Sequence, residues 1–147
     1  MRVADVAEFL GGSRVLQREV RTDMELAEAV REGLPAGALD HVLERARGWA
    51  GSHAPVYRVV GTARTLERKR GVAGAVLKPA ESDRLARLAR LVVRAEEAFG
   101  NADKAHRWLM KPSRALGGAV PFELLDSDAG TVAVERELGR IEHGIAA

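Results

Sequence analysis

The chain has 147 residues, enough for one domain or two small interlocked helical units. Folding at this size buries roughly two-thirds of the exposable surface, so a core can form without cross-links. The absence of cysteine excludes disulfides, thiol nucleophiles and thiolate metal sites, and it fits a reducing cytoplasm. Formal net charge is only +2, so any partner preference must come from where charge lies rather than from its total. No apolar run approaches the roughly 20 residues of a membrane span. The first dozen residues carry Asp5 and no long apolar centre, unlike a signal peptide, so a cytoplasmic, membrane-free setting is expected.

Strand signals are nearly absent and helix punctuation is dense, which gives an all-α expectation. Residues 1–20 resist assignment: Val3, Val6, Ala7 and Leu10 have helical spacing, but Gly11–Gly12 interrupts it. Thr22 followed by Glu25 is a capping-box pattern. The helix it opens offers Met24, Leu26, Ala27, Val30 and Leu34 as an apolar face, and Gly33 and Pro35 end it. A second helix is expected over Ala36–Arg47, with Leu39, Val42, Leu43 and Ala46 inward and Gly48 as its stop.

Residues 54–71 then have the order of a helix-turn-helix. Val56, Val59 and Val60 face the core from a first short helix, Gly61 makes the turn, and Thr62 caps a second helix over Ala63–Arg70. Leu66 locks that second helix inward, leaving Arg64, Thr65, Arg68 and Lys69, with Arg70 beside them, as candidate DNA contacts. Each bidentate arginine–guanine contact is worth about 1–3 kcal/mol of discrimination. For Lys69 and Arg70 an equal alternative is a solvated helix end, where the dipole favours cations. One short recognition helix binds weakly. A homodimer spacing two of them about 34–36 Å apart on an inverted repeat of operator DNA is therefore expected.

Gly71–Leu77 is a small-residue stretch and the best boundary, giving an extension over 1–20, a DNA-binding unit over 21–76 and a second unit over 77–147. Pro79 suits the first position of a long helix reaching Phe99. Leu85, Leu88, Val92, Ala95 and Phe99 line one of its faces. Arg84, Arg87, Arg90 and Arg94 line another, expected to be solvated or paired along the helix with Glu81, Glu96 and Glu97. Gly100 closes this helix and Asn101 caps the next, Ala102–Met110. Pro121 starts a single turn with Phe122, Leu124 and Leu125. Ser127 or Asp128 caps a last helix whose Val132, Val134, Leu138 and Ile141 can face inward. Trp108, Phe99 and Phe122 read as core anchors.

Charge is unevenly placed. Arg58, Arg64, Arg68, Lys69 and Arg70 cluster against Glu67 alone. Glu123, Asp126, Asp128, Glu135, Glu137 and Glu142 outnumber Arg136 and Arg140 near the end. A basic middle and an acidic end point to two different partners. Catalysis is not expected. His41, His53, His106 and His143 sit on separate elements, without metal-ligand spacing and without any cofactor motif. The serines lack a nucleophile elbow, and the adjacent Glu96 and Glu97 point to different sides of a helix.

Residues 77–145 carry an ordered set of features. Glu81–Ser82 with Arg84–Leu85 comes first, then Phe99–Gly100, Trp108–Leu109, Pro112, Leu116–Gly117–Gly118 and Pro121. Leu124–Leu125, Gly130, Leu138, Arg140–Ile141 and His143–Gly144 complete it. In this set, and in Gly33–Leu34–Pro35 upstream, the chain resembles the Xre/MbcA/ParS antitoxin family. The resemblance implies an Xre-like helix-turn-helix unit followed by a compact helical toxin-binding domain. It also implies a RES-domain toxin partner that consumes NAD, and repression of the shared operon. It suggests that the end of the chain, through Arg140, Glu142, His143, Gly144 and Ile145, contacts the toxin and that the tail enters its active-site cleft, with a frayed terminus as the equal alternative. A stand-alone regulator, or a ParS-like adaptor for a different protein, is the alternative. Ser113 stands where an Asn often follows the proline, and "LDSDAG" replaces a Thr-containing turn, leaving the capping residue there open.

Overall fold

The structure, a computed structural model, describes residues 1–144, and those residues form an all-α fold. The first segment, unassigned from sequence, makes two short helices, α1 (Val3–Phe9) and α2 (Gly12–Leu16). The expected break falls between them, where Gly11 adopts φ +114 and a side chain would collide with Val15 at 2.5 Å. Val6, Phe9, Leu10 and Leu16 are all buried, so this segment belongs to the core.

Helix α3 (Asp23–Glu32) starts with both halves of the anticipated capping box. The Glu25 amide donates to Thr22 Oγ1, and the Thr22 amide donates to Glu25 Oε1, each at 3.1 Å. Its expected inward face needs correction. Met24 is 67% exposed and Leu26, Ala27 and Val30 are only half-buried, whereas Ala29 and Leu34 are buried. Two effects account for this: α3 packs chiefly against α1 and the later helix α7 (Pro79–Phe99), and its remaining apolar residues line an open groove with Pro79, Ala86 and Arg87.

Helix α4 (Ala36–Ala50) runs past Gly48 rather than stopping there. The buried row Leu39, Val42, Leu43, Ala46 continues to Ala50, and a mid-helix glycine costs only about 1 kcal/mol, which that burial exceeds. Helices α5 (Ala54–Val60) and α6 (Ala63–Arg70) follow, with Val56, Val59, Val60 and Leu66 buried as expected. Two details of the turn differ from expectation. Gly61 is simply extended, at φ 170 and ψ −168, and Thr62 occupies the N-cap without a side-chain hydrogen bond.

Helix α7 (Pro79–Phe99) is the axis of the molecule. Leu85, Leu88, Ala89, Leu91, Val92 and Ala95 are completely buried, covering most of its circumference, because α1, α3, α5, α8 (Ala102–Leu109) and α9 (Asp128–Glu142) pack around it. Gly100 takes the left-handed cap conformation at φ +64, and Asn101 Oδ1 accepts from the Lys104 amide at 2.9 Å to start α8. After α8, Pro121–Asp126 forms a 3-10 turn that buries Phe122 and Leu125. Phe99 and Trp108 are half-buried rather than central, their rings tilted against each other at 5.8 Å on the rim of the core.

Ser127 is the cap of α9, accepting from the Gly130 amide at 3.0 Å. Gly130 is required by contact: a Cβ there would lie 2.1 Å from the Leu124 carbonyl oxygen. Along α9, Val134 and Leu138 are buried and Ile141 is half-buried, but Val132 is 38% exposed.

Buried residues from Val6 to Leu138 form one continuous core, which does not divide at residues 76 and 77. The stretch before α7 is stitched to the end of α3. The Leu77 amide donates to the Leu34 carbonyl at 2.8 Å, and the Ala36 amide donates to the Ala75 carbonyl at 2.9 Å. Fully buried Ser82 then accepts from the Leu34 amide at 2.8 Å. Gly33, at φ +96, faces the Leu77 carbonyl so closely that a Cβ would sit 2.5 Å from it.

Candidate functional site

The five residues expected to face outward from α6 divide into two groups. Arg64 and Arg68 are exposed, and neither has an ion-pair partner among the described residues; Thr65 beside them is half-buried. Lys69 and Arg70 are used internally. Lys69 Nζ donates to Glu81 Oε1 at 2.8 Å, joining α6 to the first turn of α7. Arg70 bonds Asp40 on α4 through Nε and the Tyr57 hydroxyl on α5 through Nη1, the latter at 3.0 Å. The last turn of α6 is thereby fastened to three helices through Lys69 and Arg70, while Arg64 and Arg68 stay outward with Thr65 half-buried beside them. Thr62 makes no capping bond, so the first-turn amides also lack a side-chain acceptor. Thr62 and Ala63 border a groove also lined by His53, Tyr57, Arg58 and Gly61.

Electrostatics mark the fastening as tight. Glu81 is 7% exposed, and burial pushes its carboxyl up. The bonds from Lys69 and the Lys78 amide, with the charges of both lysines, outweigh that and hold it below its ordinary 4.5. The Tyr57 phenol is raised, first by burial and then by its bond to the Glu67 carboxylate. Neither Glu81 nor Ser82 stood out by chemistry in the sequence. Their partners lie 12 and 48 residues away, beyond any local pattern.

The acidic end of the chain also finds its partners within the fold. Three carboxylates spaced every second turn of α9 meet the arginine stripe of α7: Asp128 with Arg87 at 3.9 Å, Glu135 with Arg90 at 3.6 Å, and Glu142 with Arg94 at 2.8 Å. The stripe therefore pairs across to α9 rather than along its own helix, with Arg90 its one exposed member. Glu123 pairs with Arg58 at 3.1 Å, and nearly buried Glu137 accepts from Arg140 Nε at 2.9 Å. The fourth stripe member, Arg84, donates to the Val60 carbonyl at the end of α5.

Of the expected contact residues at the terminus, Glu142 ties α9 to Arg94 on α7, whereas Arg140 pairs only within α9, with Glu137, and stays exposed. His143 and Gly144 are exposed just beyond the helix, and Ile145 lies outside the described residues. A further cluster was not anticipated. The Trp49 and His106 rings stack at 4.5 Å, and His106 Nε2 lies 2.6 Å from Glu96 Oε2, tying α4, α7 and α8 together.

Comparison with known proteins places this geometry. Residues 94–144, from the last turns of α7 to the end of α9, match the antitoxin Xre/MbcA/ParS C-terminal toxin-binding domain. Three curated relatives named antitoxin Xre align over most of the chain. The one from Pseudomonas putida is 36% identical over 127 residues, 86% of this chain and 76% of the relative. That from Photorhabdus laumondii is 32% identical, covering 79% of this chain and 77% of the relative. The Yersinia enterocolitica protein is 31% identical, with coverage of 90% and 91%. The chain belongs to the Xre/MbcA/ParS antitoxin family.

Proposed function

We propose that this chain is the antitoxin of a RES-domain, NAD-consuming toxin, that it holds the toxin through its C-terminal part, and that it represses its own operon through α6. It acts by binding rather than catalysis, in the cytoplasm where such a toxin would find its substrate. The supporting observation is the agreement of name among relatives that align with four-fifths or more of this chain, or close to it, together with the matched toxin-binding domain. The decisive experiment is co-purification with the product of the neighbouring reading frame, followed by NAD turnover with and without this chain. A toxin left fully active and unassociated would refute the reading.

DNA binding is supported by Arg64 and Arg68, which stay outward and, among the described residues, unpaired while Lys69 and Arg70 are tied down. First-turn amides without a side-chain cap suit a phosphate oxygen, and the two arginines suit base edges or further phosphates. A homodimer would set two copies of α6 about 34–36 Å apart on an inverted repeat. Reversing Arg64 and Arg68 to Glu should abolish the operator gel shift while toxin binding persists; a retained specific shift would refute it.

The tail beyond α9 is the part of the chain suited to entering the toxin's cleft. The informative truncation removes residues 143–147 and spares Glu142, which anchors α9 to Arg94. NAD turnover should then return even though the complex still forms, and full inhibition by the truncated protein would exclude the plug.

A further inference from the structure

Internal pairing changes the charge that the second half of the molecule presents. Asp128, Glu135, Glu137 and Glu142 are held by arginines, Glu123 by Arg58, and Glu96 by His106. The cations of α8 and the loop after it have no such engagement. Lys104, Arg107, Lys111 and Arg114 are all exposed, and none has a carboxylate partner within ion-pair distance among the described residues. Lys104 and Arg107 lie three apart on α8, and Lys111 follows two residues past the end of that helix. Between Asn101 and Gly118 the only acidic residue is Asp103.

Helix stability does not explain this arrangement. Arg107 stands in the last turn, where the dipole favours a cation, but Lys104 stands in the first turn, where it opposes one. That position, three after the cap, is where a capping box would put Glu. Arg114 is beyond the helix altogether. Four unneutralised cations concentrated within the matched domain, two of them gaining nothing from the helix, fit a surface of opposite charge.

We propose that Lys104, Arg107, Lys111 and Arg114 form a cationic docking face that meets an acidic surface on the toxin. This rests on the antitoxin reading above and specifies the chemistry of its partner. The face steers encounter and fixes orientation, so its main effect falls on the association rate.

The test compares the full-length chain with its K104E/R107E/K111E/R114E variant, binding the RES-domain protein of the neighbouring reading frame at several salt concentrations. At low salt, association should slow by roughly tenfold or more, and the steep fall in rate with added salt should flatten. A version with Gln at all four positions should fall between the two. If quadruple reversal lowers helix content by circular dichroism, single reversals at Lys104 and at Arg114 supply the same comparison. Unchanged rates and an unchanged salt slope, with the unaltered chain binding normally, would overturn the proposal alone. Failure of the unaltered chain to bind the toxin would overturn the antitoxin reading with it. Loss of operator-duplex binding with toxin kinetics intact would assign the face to nucleic acid and overturn it as well.

Discussion

Replacing Glu81 with Gln tests whether α6 is held by a buried ion pair. The side chains of Glu81 and Lys69 are 9% and 16% exposed, and Glu81 also accepts from the Lys78 amide. Gln keeps the shape and an acceptor for that amide but leaves the Lys69 ammonium without its counter-charge. Removing one partner of a buried pair costs about 3–5 kcal/mol; partial hydration of Lys69 and the retained amide bond bring the expected loss to about 2–3 kcal/mol. In a chain this long that lowers the melting midpoint by roughly 4–12 °C. Lys69→Met should cost a similar amount, and the double variant should cost less than the sum of the two.

The sign of the pH dependence follows from the lowered Glu81 carboxyl. The unfolded chain holds that proton more tightly, so the stabilisation is complete above the ordinary 4.5 and is lost as pH falls through the folded value. The gap between the native chain and Glu81→Gln should therefore be widest near neutral pH and close on acidification. Thermal or urea melts followed by circular dichroism measure both quantities. A midpoint indistinguishable from the native one, or a gap that stays constant into acid, would show that the pair does not stabilise the fold.

Further outcomes follow from the contacts. Gly130→Ala forces a methyl group against the Leu124 carbonyl, 2.1 Å away, and should destabilise by about 1–3 kcal/mol or more, read as a lower urea midpoint. Ser82→Ala strips the buried Leu34 amide of its acceptor and should cost about 1–3 kcal/mol, with faster hydrogen exchange at Leu34 as the specific sign. Arg94→Ala, by contrast, breaks a partly exposed bidentate pair with Glu142 and should lower stability by only about 1 kcal/mol or less, an effect that shrinks with added salt.

Local chemistry made most of the helices legible. The Thr22–Glu25 capping box, the Asn101 cap, Pro79 at a first helical position and the Gly100 stop depend on residues within one turn of each other, and each does in the fold what its residue type suggests. What depended on distant partners was not legible. Met24 and Val132 have helical spacing suited to burial, but whether a neighbour covers them is decided by how α3 and α9 lie against α7. Charge misled for the same reason. A count along the chain makes the C-terminal stretch acidic, but its carboxylates meet arginines on α7 and α5 that the count assigns elsewhere. Lys69 and Arg70 share the composition of Arg64 and Arg68, and only the positions of Glu81, Asp40 and Tyr57 set them apart. Lys104, Arg107, Lys111 and Arg114 stand plainly in the sequence, but their lack of carboxylate partners among the described residues emerges only once the surrounding acids are placed.

The seam where Leu34, Leu77 and Ser82 meet has an implication for the lifetime of the molecule. A protease that opened the chain between Gly71 and Val76 would release no self-sufficient fragment, since each piece would carry away half of a shared interior. Whatever the two ends grip, both holds should fail in the same event and at the same rate, so the molecule would pass from intact to spent without a half-working stage.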